Sequence, residues 1–323
     1  MCSIEFRPRA CPLCTSDRQV VCFQDTNRRE GLPVSATLVE CRDCGMAYLS
    51  PAPHGRDLAR LYRDGVIDPL PSDPVTIQPV SSQVAQMPRA RRIVRWVNGL
   101  LRGHPHDWPE ERGDGRSILD FGCFDGQKLA YWYQRGWHVA GIDLNQKAID
   151  AARRRFPNGR FWCGDLLELR IDDRFDVVRS DNVFEHLLDP MAYLTALRAL
   201  LRPQGRIYLY VPNGRALSVR LFGRCSYVYW MPFHLNLFTR KTLRLALERS
   251  GFTGVCCFTF SPIGSWTFTQ RQALLRPGFA HGSPSRLDRL LQRFSLLNYP
   301  GEVISQWFGM GEEIVATAAI PDE

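Results

Sequence analysis

The sequence predicts an α/β protein built on a doubly wound, mainly parallel sheet, with a small cysteine-rich module ahead of it. Strand-like and helix-like segments alternate from Ser117 onward, a pattern typical of parallel strands covered by helices. Glycines and acidic residues follow the first strands, where open α/β sheets bind ligands. Two C-x-x-C pairs precede residue 45, which is typical of a metal site.

The composition is that of a globular chain. Of 323 residues, 45% are hydrophobic and 23% are charged, which argues against general disorder. No apolar run approaches the ~18 residues of a membrane-spanning helix, and no apolar leader follows Met1. We therefore expect no membrane span and a cytoplasmic location. The net charge is +8, but the arginines are scattered, which favours codon bias over a nucleic-acid footprint.

Four of the 11 cysteines are spaced as ligands of one metal ion. Cys11 and Cys14 form one pair, and Cys41 and Cys44 form the second. Two such pairs can bring four thiolates to the corners of a tetrahedron, the geometry and soft donor set that Zn²⁺ favours. Because protein thiolates fill all four positions, we expect a structural ion. Redox-active pairs are the alternative.

The elements follow in order along the chain. We predict a zinc-binding module over residues 1–65, a linker with a lead-in helix over 66–115, and the α/β domain with a C-terminal insertion over 116–323. Short apolar runs bounded by turn residues predict the strands, and longer amphipathic or Ala-rich segments predict the helices. A strand with an extended exit is expected over 47–53, and further strands at 118–121, 137–143, 159–163, 175–178, 206–211, 255–260 and 312–318. The helices are expected at 57–62, 88–101, 126–135, 146–156, 190–201, 239–250 and 286–294.

The ends of the first three strands of this domain carry residues suited to a cationic ligand. The loop from Asp120 to Gly126 reads DFGCFDG; its glycines let a ligand approach the backbone, whereas its acids disfavour a pyrophosphate. Asp143 follows the second strand and can accept hydrogen bonds from two ribose hydroxyls, as also happens in nicotinamide enzymes. Asp165 follows the third strand and can accept from an adenine amine. A structural turn capped by Asp125 is the alternative for the loop.

These motifs, with Gly164-Asp165-Leu166 and the stretch from Asn182 to Leu187, resemble the class I S-adenosylmethionine (SAM)-dependent methyltransferases over roughly residues 81–260. The resemblance implies a Rossmann-like fold and bound SAM. The cofactor contacts that it implies are Asp120, Gly122, Gly126, Asp143, Leu144, Asp165, Leu166 and Asn182. Phe124 departs from the pattern, since many members have a small residue there. The cysteine pairs followed by prolines are also similar to methyltransferases of sugar, surface-polysaccharide and natural-product pathways.

Two histidines are candidates for the base that a hydroxyl or carbon acceptor needs. His186 follows the fourth strand of the α/β domain, and His234 lies after the fifth in an aromatic segment, residues 221–238, that resembles a substrate lid. We prefer His234 as the base. Structural packing is the alternative for both residues.

The sequence as a whole predicts an enzyme, a SAM-dependent methyltransferase with structural Zn²⁺ and a small-molecule acceptor, a sugar or related metabolite. An RNA methyltransferase is the first alternative, but we find no dense Lys/Arg patch and no Asn-Pro-Pro-Tyr motif after the fourth strand of the domain. A non-catalytic scaffold of the same fold is the second, and the intact acidic positions disfavour it.

Overall fold

A computed structural model gives the architecture of the chain. It describes residues 5–25, 28–29, 32–33, 36–53, 113–261, 265–267, 269–270 and 298–321. The helices predicted at 57–62, 88–101 and 286–294, and nearly all of the predicted linker, lie outside these residues. Among the described helices, none has both the length and the apolar character needed to cross a bilayer.

The N-terminal module is made of short antiparallel strands. They are β1 (Phe6–Arg7), β2 (Gln19–Asp25), β3 (Arg28–Arg29), β4 (Leu32–Pro33), β5 (Ala36–Cys41), β6 (Ala47–Leu49) and β7 (Ala52–Pro53). Strand β5 pairs with β2 on one side and β6 on the other, while β1 pairs with β7 and β3 with β4.

A seven-stranded sheet forms the centre of the α/β domain. The remaining strands are β8 (Ser117–Phe121), β9 (His138–Asp143), β10 (Arg160–Cys163), β11 (Phe175–Asp181), β12 (Leu201–Pro212), β13 (Asn236–Leu237), β14 (Thr253–Phe260) and β15 (Glu313–Ala319). The order in the sheet is β10-β9-β8-β11-β12-β15-β14. All neighbours are parallel except β15, which is antiparallel to β12 and β14. The predicted doubly wound, mainly parallel α/β fold is confirmed.

Six helices have described bounds, and a side chain satisfies the first amides of three of them. Their bounds are α1 (Ala130–Tyr133), α2 (Gln146–Arg155), α3 (Pro190–Ala199), α4 (Leu217–Phe222), α5 (Arg240–Arg249) and α6 (Tyr299–Trp307). Asn145 caps α2, Asp189 caps α3, and Thr239 forms a capping box with Thr242 at α5, each satisfying amides that have no partner within the helix. The helix predicted at 126–135 is shorter, because Gly126 is left-handed (φ 74°) and a 3₁₀ turn precedes α1.

The module and the α/β domain share one hydrophobic core. Buried module residues such as Cys11, Met46 and Tyr48 belong to the same cluster as Leu243 and Leu247 of α5. Strand β13 also crosses between the two parts, because it pairs with β6 of the module although it follows β12 in the chain. The predicted boundaries at 65 and 115 fall on or next to undescribed residues and stay a prediction.

The half-buried guanidinium of Arg9 adds a polar link between these parts. It donates hydrogen bonds to the carbonyl oxygens of Leu49 (2.8 Å), Leu188 (3.0 Å) and Leu235 (2.7 Å) and to Asn236 Oδ1 (2.9 Å). Leu49 lies in the module, Leu188 lies after β11, and Leu235 and Asn236 lie before and within β13. Arg9 therefore joins three segments that are distant in sequence.

Replacing Arg9 with alanine should destabilise the protein by on the order of 2–4 kcal/mol, since several acceptors lose a charged donor. Urea unfolding of the full chain measures this change. Arg7→Ala is the matched control, because Arg7 is exposed and pairs only with Glu5 among described residues, so its unfolding midpoint should stay at the wild-type value. Equal midpoints for both variants would contradict the role assigned to Arg9.

Candidate active site

The loop after β8 lies at the point where the strand order reverses, between β8 and β11, the usual ligand site of such sheets. Gly122 has φ 79°, and a Cβ there would lie 2.3 Å from Val183 Cγ2. Only glycine fits this close approach. Phe124 is also left-handed (φ 47°), an uncommon conformation for a residue with a bulky side chain.

Asp143, at the end of β9, holds this loop from the neighbouring strand. Its carboxylate accepts from the backbone amides of Phe124 (2.8 Å) and Asn145 (2.9 Å). Burial raises its pKa. Leu144 follows directly, and its carbonyl oxygen lies 3.5 Å from Cys163 Sγ. Two of the predicted cofactor elements, the β8 loop and Asp143, are thus brought into direct contact.

Asp120 lies inside β8, beneath the loop, and forms a buried ion pair. Its Oδ2 lies 2.8 Å from Nη1 of Arg179, and both side chains are 2% exposed. Arg179 also contacts Asp181 (2.9 Å), which pairs in turn with Lys128 (2.7 Å). Burial raises the pKa of Asp120 to about 6 although Arg179 lowers it. Its Oδ1 is buried and has no hydrogen-bond partner among the described residues, so that oxygen alone is left for a ligand.

The other predicted cofactor residues differ in how their side chains are engaged. The Tyr193 hydroxyl donates to the Asp165 carboxylate, at 2.7 and 2.8 Å from its two oxygens. Leu166 is buried. Asn182 adopts φ 56°, and its Nδ2 donates to Asp181 Oδ1 (3.0 Å). Tyr193 was not predicted, because it lies on α3 with no motif around it.

The two predicted histidines meet, although they come from different segments. His186 lies in a 3₁₀ turn (Phe184–His186) after β11, and His234 follows β12. Their ring centroids are 5.0 Å apart, and Trp230 packs edge-on against both at 6.2 and 5.6 Å. Burial lowers the pKa of His186 to about 4, so this ring is neutral at pH 7.

Backbone and amide hydrogen bonds hold the two histidine segments together. Asn236 Nδ2 donates to the carbonyl oxygens of Phe184 (3.0 Å) and Leu187 (2.6 Å), and the Leu235 amide donates to the Glu185 carbonyl oxygen (2.6 Å). The distance between the rings is therefore set by the backbone on both sides.

Two buried acids in this region were missed by the sequence analysis. Glu185 is 1% exposed, and its carboxylate oxygens have no hydrogen-bond partner among described residues. Glu313 opens β15, opposite Pro212 in register, and accepts from the Tyr227 hydroxyl (2.7 Å). Burial raises the pKa of Glu313 to about 8. The position of Glu185 beside His186 was a usable signal, whereas nothing local marks Glu313.

The four cysteines of the two C-x-x-C pairs converge at one point of the module. The Sγ atoms of Cys11 and Cys44 are 3.5 Å apart, as are those of Cys14 and Cys41, and all four lie within 4.8 Å of one another. Four sulfurs about 2.3 Å from a tetrahedral zinc ion lie roughly 3.8 Å apart. The arrangement therefore fits a tetrathiolate ion.

The family of this domain follows from comparison with known proteins. The family described as methyltransferase domain matches residues 89–256, just over half of the 323 residues. The chain belongs to this methyltransferase-domain family. The expectation of a methyltransferase domain on a mainly parallel α/β sheet is thereby confirmed.

Individual relatives of the methyltransferase domain match over shorter stretches. An uncharacterised 37.1 kDa protein in transposon TN4556 of Streptomyces fradiae is 35% identical over 112 residues, 32% of each chain. A ubiquinone biosynthesis O-methyltransferase of Aeromonas salmonicida is 30% identical over 116 residues, 33% of this chain and 49% of that one. The chain thus spans about a third to a half of these curated relatives. A solved SAM-dependent methyltransferase from Archaeoglobus fulgidus aligns at 20% identity and a TM-score of 0.44, over 70% of this chain and 94% of that one.

The raised pKa of Glu313 predicts that the protein loses stability as pH rises. Its pKa is about 8 in the fold against an ordinary 4.5, so the folded state binds the proton more tightly. Stability is complete below about pH 4.5 and falls toward pH 8, by at most about 1.4 kcal/mol per pH unit.

Glu313→Gln removes this ionisation, so its stability relative to wild type should rise between pH 5 and 8. Urea unfolding at pH 5, 6.5 and 8 measures the difference. The groups facing Glu313 are Tyr227, Asp181, Glu312 and Lys128, and all are retained in the variant. Parallel pH profiles for the two proteins would show that the Glu313 carboxyl ionises normally.

Proposed function

We propose that this methyltransferase domain uses SAM to methylate a small-molecule acceptor of the sugar or related-metabolite class. The observation that carries the proposal is the contact of Asp143 with the Phe124 amide, which joins the glycine loop of β8 to the end of β9. The relatives named ubiquinone biosynthesis O-methyltransferases support an oxygen atom of a small molecule as acceptor.

The acidic side chains and glycines around the β8 loop suit SAM. Asp143 places a carboxylate beside a loop whose glycine backbone is open to close approach, and a carboxylate favours a ligand that carries an ammonium and a sulfonium. Arg179 compensates the charge of Asp120, which offers only its unpaired Oδ1. When bound, SAM supplies a methyl group activated by the positive sulfonium. We assign the ribose hydroxyls to Asp143 and the adenine side to Asp165 and Leu166. Asn182 is assigned to the methionine moiety.

For the acceptor, His234 is our proposed base. Its Nδ1 lies 2.9 Å from the Val228 carbonyl oxygen, and because a carbonyl only accepts, this nitrogen carries the hydrogen. The basic nitrogen is then Nε2, held in orientation by Val228. His186, whose pKa is about 4, is a weak base at neutral pH. Positioning of the acceptor by the aromatic segment would lower the barrier further.

The four cysteines are assigned to structural Zn²⁺. Their Sγ separations support a closed thiolate set with no position open to substrate.

A second candidate function, methylation of RNA or another polyanion, is favoured by one observation. A cavity of about 830 Å³ lies between the second cysteine pair and the start of α5. Its charged lining residues are Arg42, Arg215, Arg240, Lys241 and Arg244, together with Glu40 and Asp43. RNA affinity that falls steeply with salt, accompanied by methyl transfer to RNA, would establish this function instead. SAM binding without methyl transfer to any acceptor would favour a non-catalytic scaffold of the same fold.

Asp143→Ala should weaken SAM binding at least tenfold, because the ribose loses its carboxylate acceptor and the β8 loop loses an anchor; charged hydrogen bonds contribute about 1.5–3 kcal/mol each. Isothermal calorimetry of purified protein with SAM, and separately with NAD, measures this. Asp150→Ala is the control, since Asp150 pairs with Arg153 on the surface of α2. NAD binding, or no SAM binding by folded wild-type protein, would refute the proposal.

Cys41→Ser should release the module's zinc and lower stability by several kcal/mol, given that thiolate zinc sites contribute on the order of 10–16 kcal/mol in isolated peptides. Elemental analysis and thermal unfolding give the two readouts. Cys256→Ser is the matched control, because Cys256 is exposed on β14. A Cys41→Ser protein with wild-type zinc content and stability would show that the assignment is wrong.

A further inference from the structure

A second group of metal-ligand side chains lies outside the cysteine module. Glu185, His186 and His234 each offer one ligand atom, and these atoms all lie within 4.8 Å of one another. Glu185 Oε1 is 3.6 Å from His186 Nε2. Ligand atoms about 2.0–2.2 Å from a common ion lie roughly 3–4 Å apart, so the observed separations are at or slightly above that range.

We propose that Glu185, His186 and His234 hold a divalent transition-metal ion, with coordination positions left for an oxygen of the acceptor. The site deepens the proposed function and rests on it for the identity of the bound acceptor. Two imidazoles and one carboxylate on one side of an ion are a set that binds Zn²⁺, Fe²⁺, Mn²⁺ or Co²⁺ and leaves further positions open.

Glu185 is the first reason for placing a cation here. Its carboxylate is fully buried and makes no hydrogen bond within the described part of the chain. An isolated buried carboxylate is costly. The neighbouring His186 does not satisfy this carboxylate, since its Nε2 lies 3.6 Å from Glu185 Oε1, beyond normal hydrogen-bond distance. Either a metal ion or a proton on the carboxyl itself must compensate the charge of Glu185, and the test below separates these two states.

The orientation of both histidines is the second reason. Nδ1 of His186 lies 2.9 Å from the Phe233 carbonyl oxygen, and Nδ1 of His234 lies 2.9 Å from the Val228 carbonyl oxygen. Both Nδ1 atoms must therefore donate, which leaves the Nε2 lone pairs as the ligand atoms. Metal-binding histidines are commonly oriented in this way by a carbonyl behind the ring.

Rigidity is the third reason. The same turns that carry the ligands are joined by the Leu235 amide, which donates to the Glu185 carbonyl oxygen (2.6 Å), and by Asn236. The ligands are thus brought together by the fold before any ion binds.

An ion bound to His234 Nε2 would occupy the lone pair that we assigned to proton transfer. In the metal-bound protein the ion, rather than His234, would then lower the pKa of an acceptor hydroxyl.

Mn²⁺ is the probe that separates this site from the cysteine site, because manganese favours oxygen and nitrogen ligands over thiolates. Electron paramagnetic resonance counts the Mn²⁺ that stays free when the ion is titrated into the full-length protein. We expect one bound Mn²⁺ per chain in wild type, and at least tenfold weaker binding in Glu185→Gln and in His234→Gln. His138→Gln, an exposed histidine at the start of β9, should bind as wild type does.

Zinc content gives a second readout that does not depend on the variants' activity. Wild type reconstituted with Zn²⁺ should carry two ions per chain, and Glu185→Gln should carry one. A wild-type protein that takes up no Mn²⁺ and a single zinc ion would overturn the proposal and leave Glu185 as a protonated carboxyl. SAM binding measured by calorimetry on the same samples keeps the two proposals apart, since it tests the cofactor loop and does not involve these three ligands.

Discussion

The guanidinium of Arg9 is the contact on which the geometry of the candidate acceptor site depends. It binds the Leu49 carbonyl in the module, the Leu188 carbonyl after β11, and Leu235 and Asn236 before and within β13. Asn236 in turn holds the turn that carries His186. A charge on the module thus adds a further link between two segments of the α/β domain that Leu235 and Asn236 already join.

Most of the seven-stranded sheet was predictable from the sequence, whereas in the module the four cysteines were predictable and most of the strands were not, for physical reasons. All five residues of β8 are buried, and three of them, Ile118, Leu119 and Phe121, are apolar, so the segment is recognisable as a buried strand. Strand β2 carries exposed Val20 and Val21 and pairs within a small sheet, so its pattern gives no such signal. The contact of β13 with β6 joins residues far apart in the chain, and local patterns do not encode such pairings.

Within the candidate active site too, local features were predictable from the sequence and long-range contacts were not. A glycine with positive φ and an acid at a strand end are local features, so Gly122 and Asp143 were predictable. Arg179 lies opposite Asp120 in the register of β8 and β11, so its pairing with Asp120 becomes visible only once the strands are paired in the sheet.

The buried charges near the candidate active site differ in how they are compensated. Asp120 and Asp181 share Arg179 and Lys128, whereas the carboxylate of Glu185 has no hydrogen-bond partner among the described residues. The charge of Asp120 is compensated within the fold, whereas a buried carboxylate without a partner requires either a bound cation or a proton.

Phe124 shows how the β8 loop tolerates a bulky residue in a left-handed conformation. The left-handed conformation (φ 47°) costs a residue with a side chain about 1–2 kcal/mol. The Phe124 amide donates to the Asp143 carboxylate at 2.8 Å, and a hydrogen bond to a charged group contributes about 1.5–3 kcal/mol. The two terms are of similar size, so the acid at the end of β9 offsets the strain in the loop after β8. Because the same carboxylate is assigned to the ribose, the loop conformation and cofactor binding depend on one side chain.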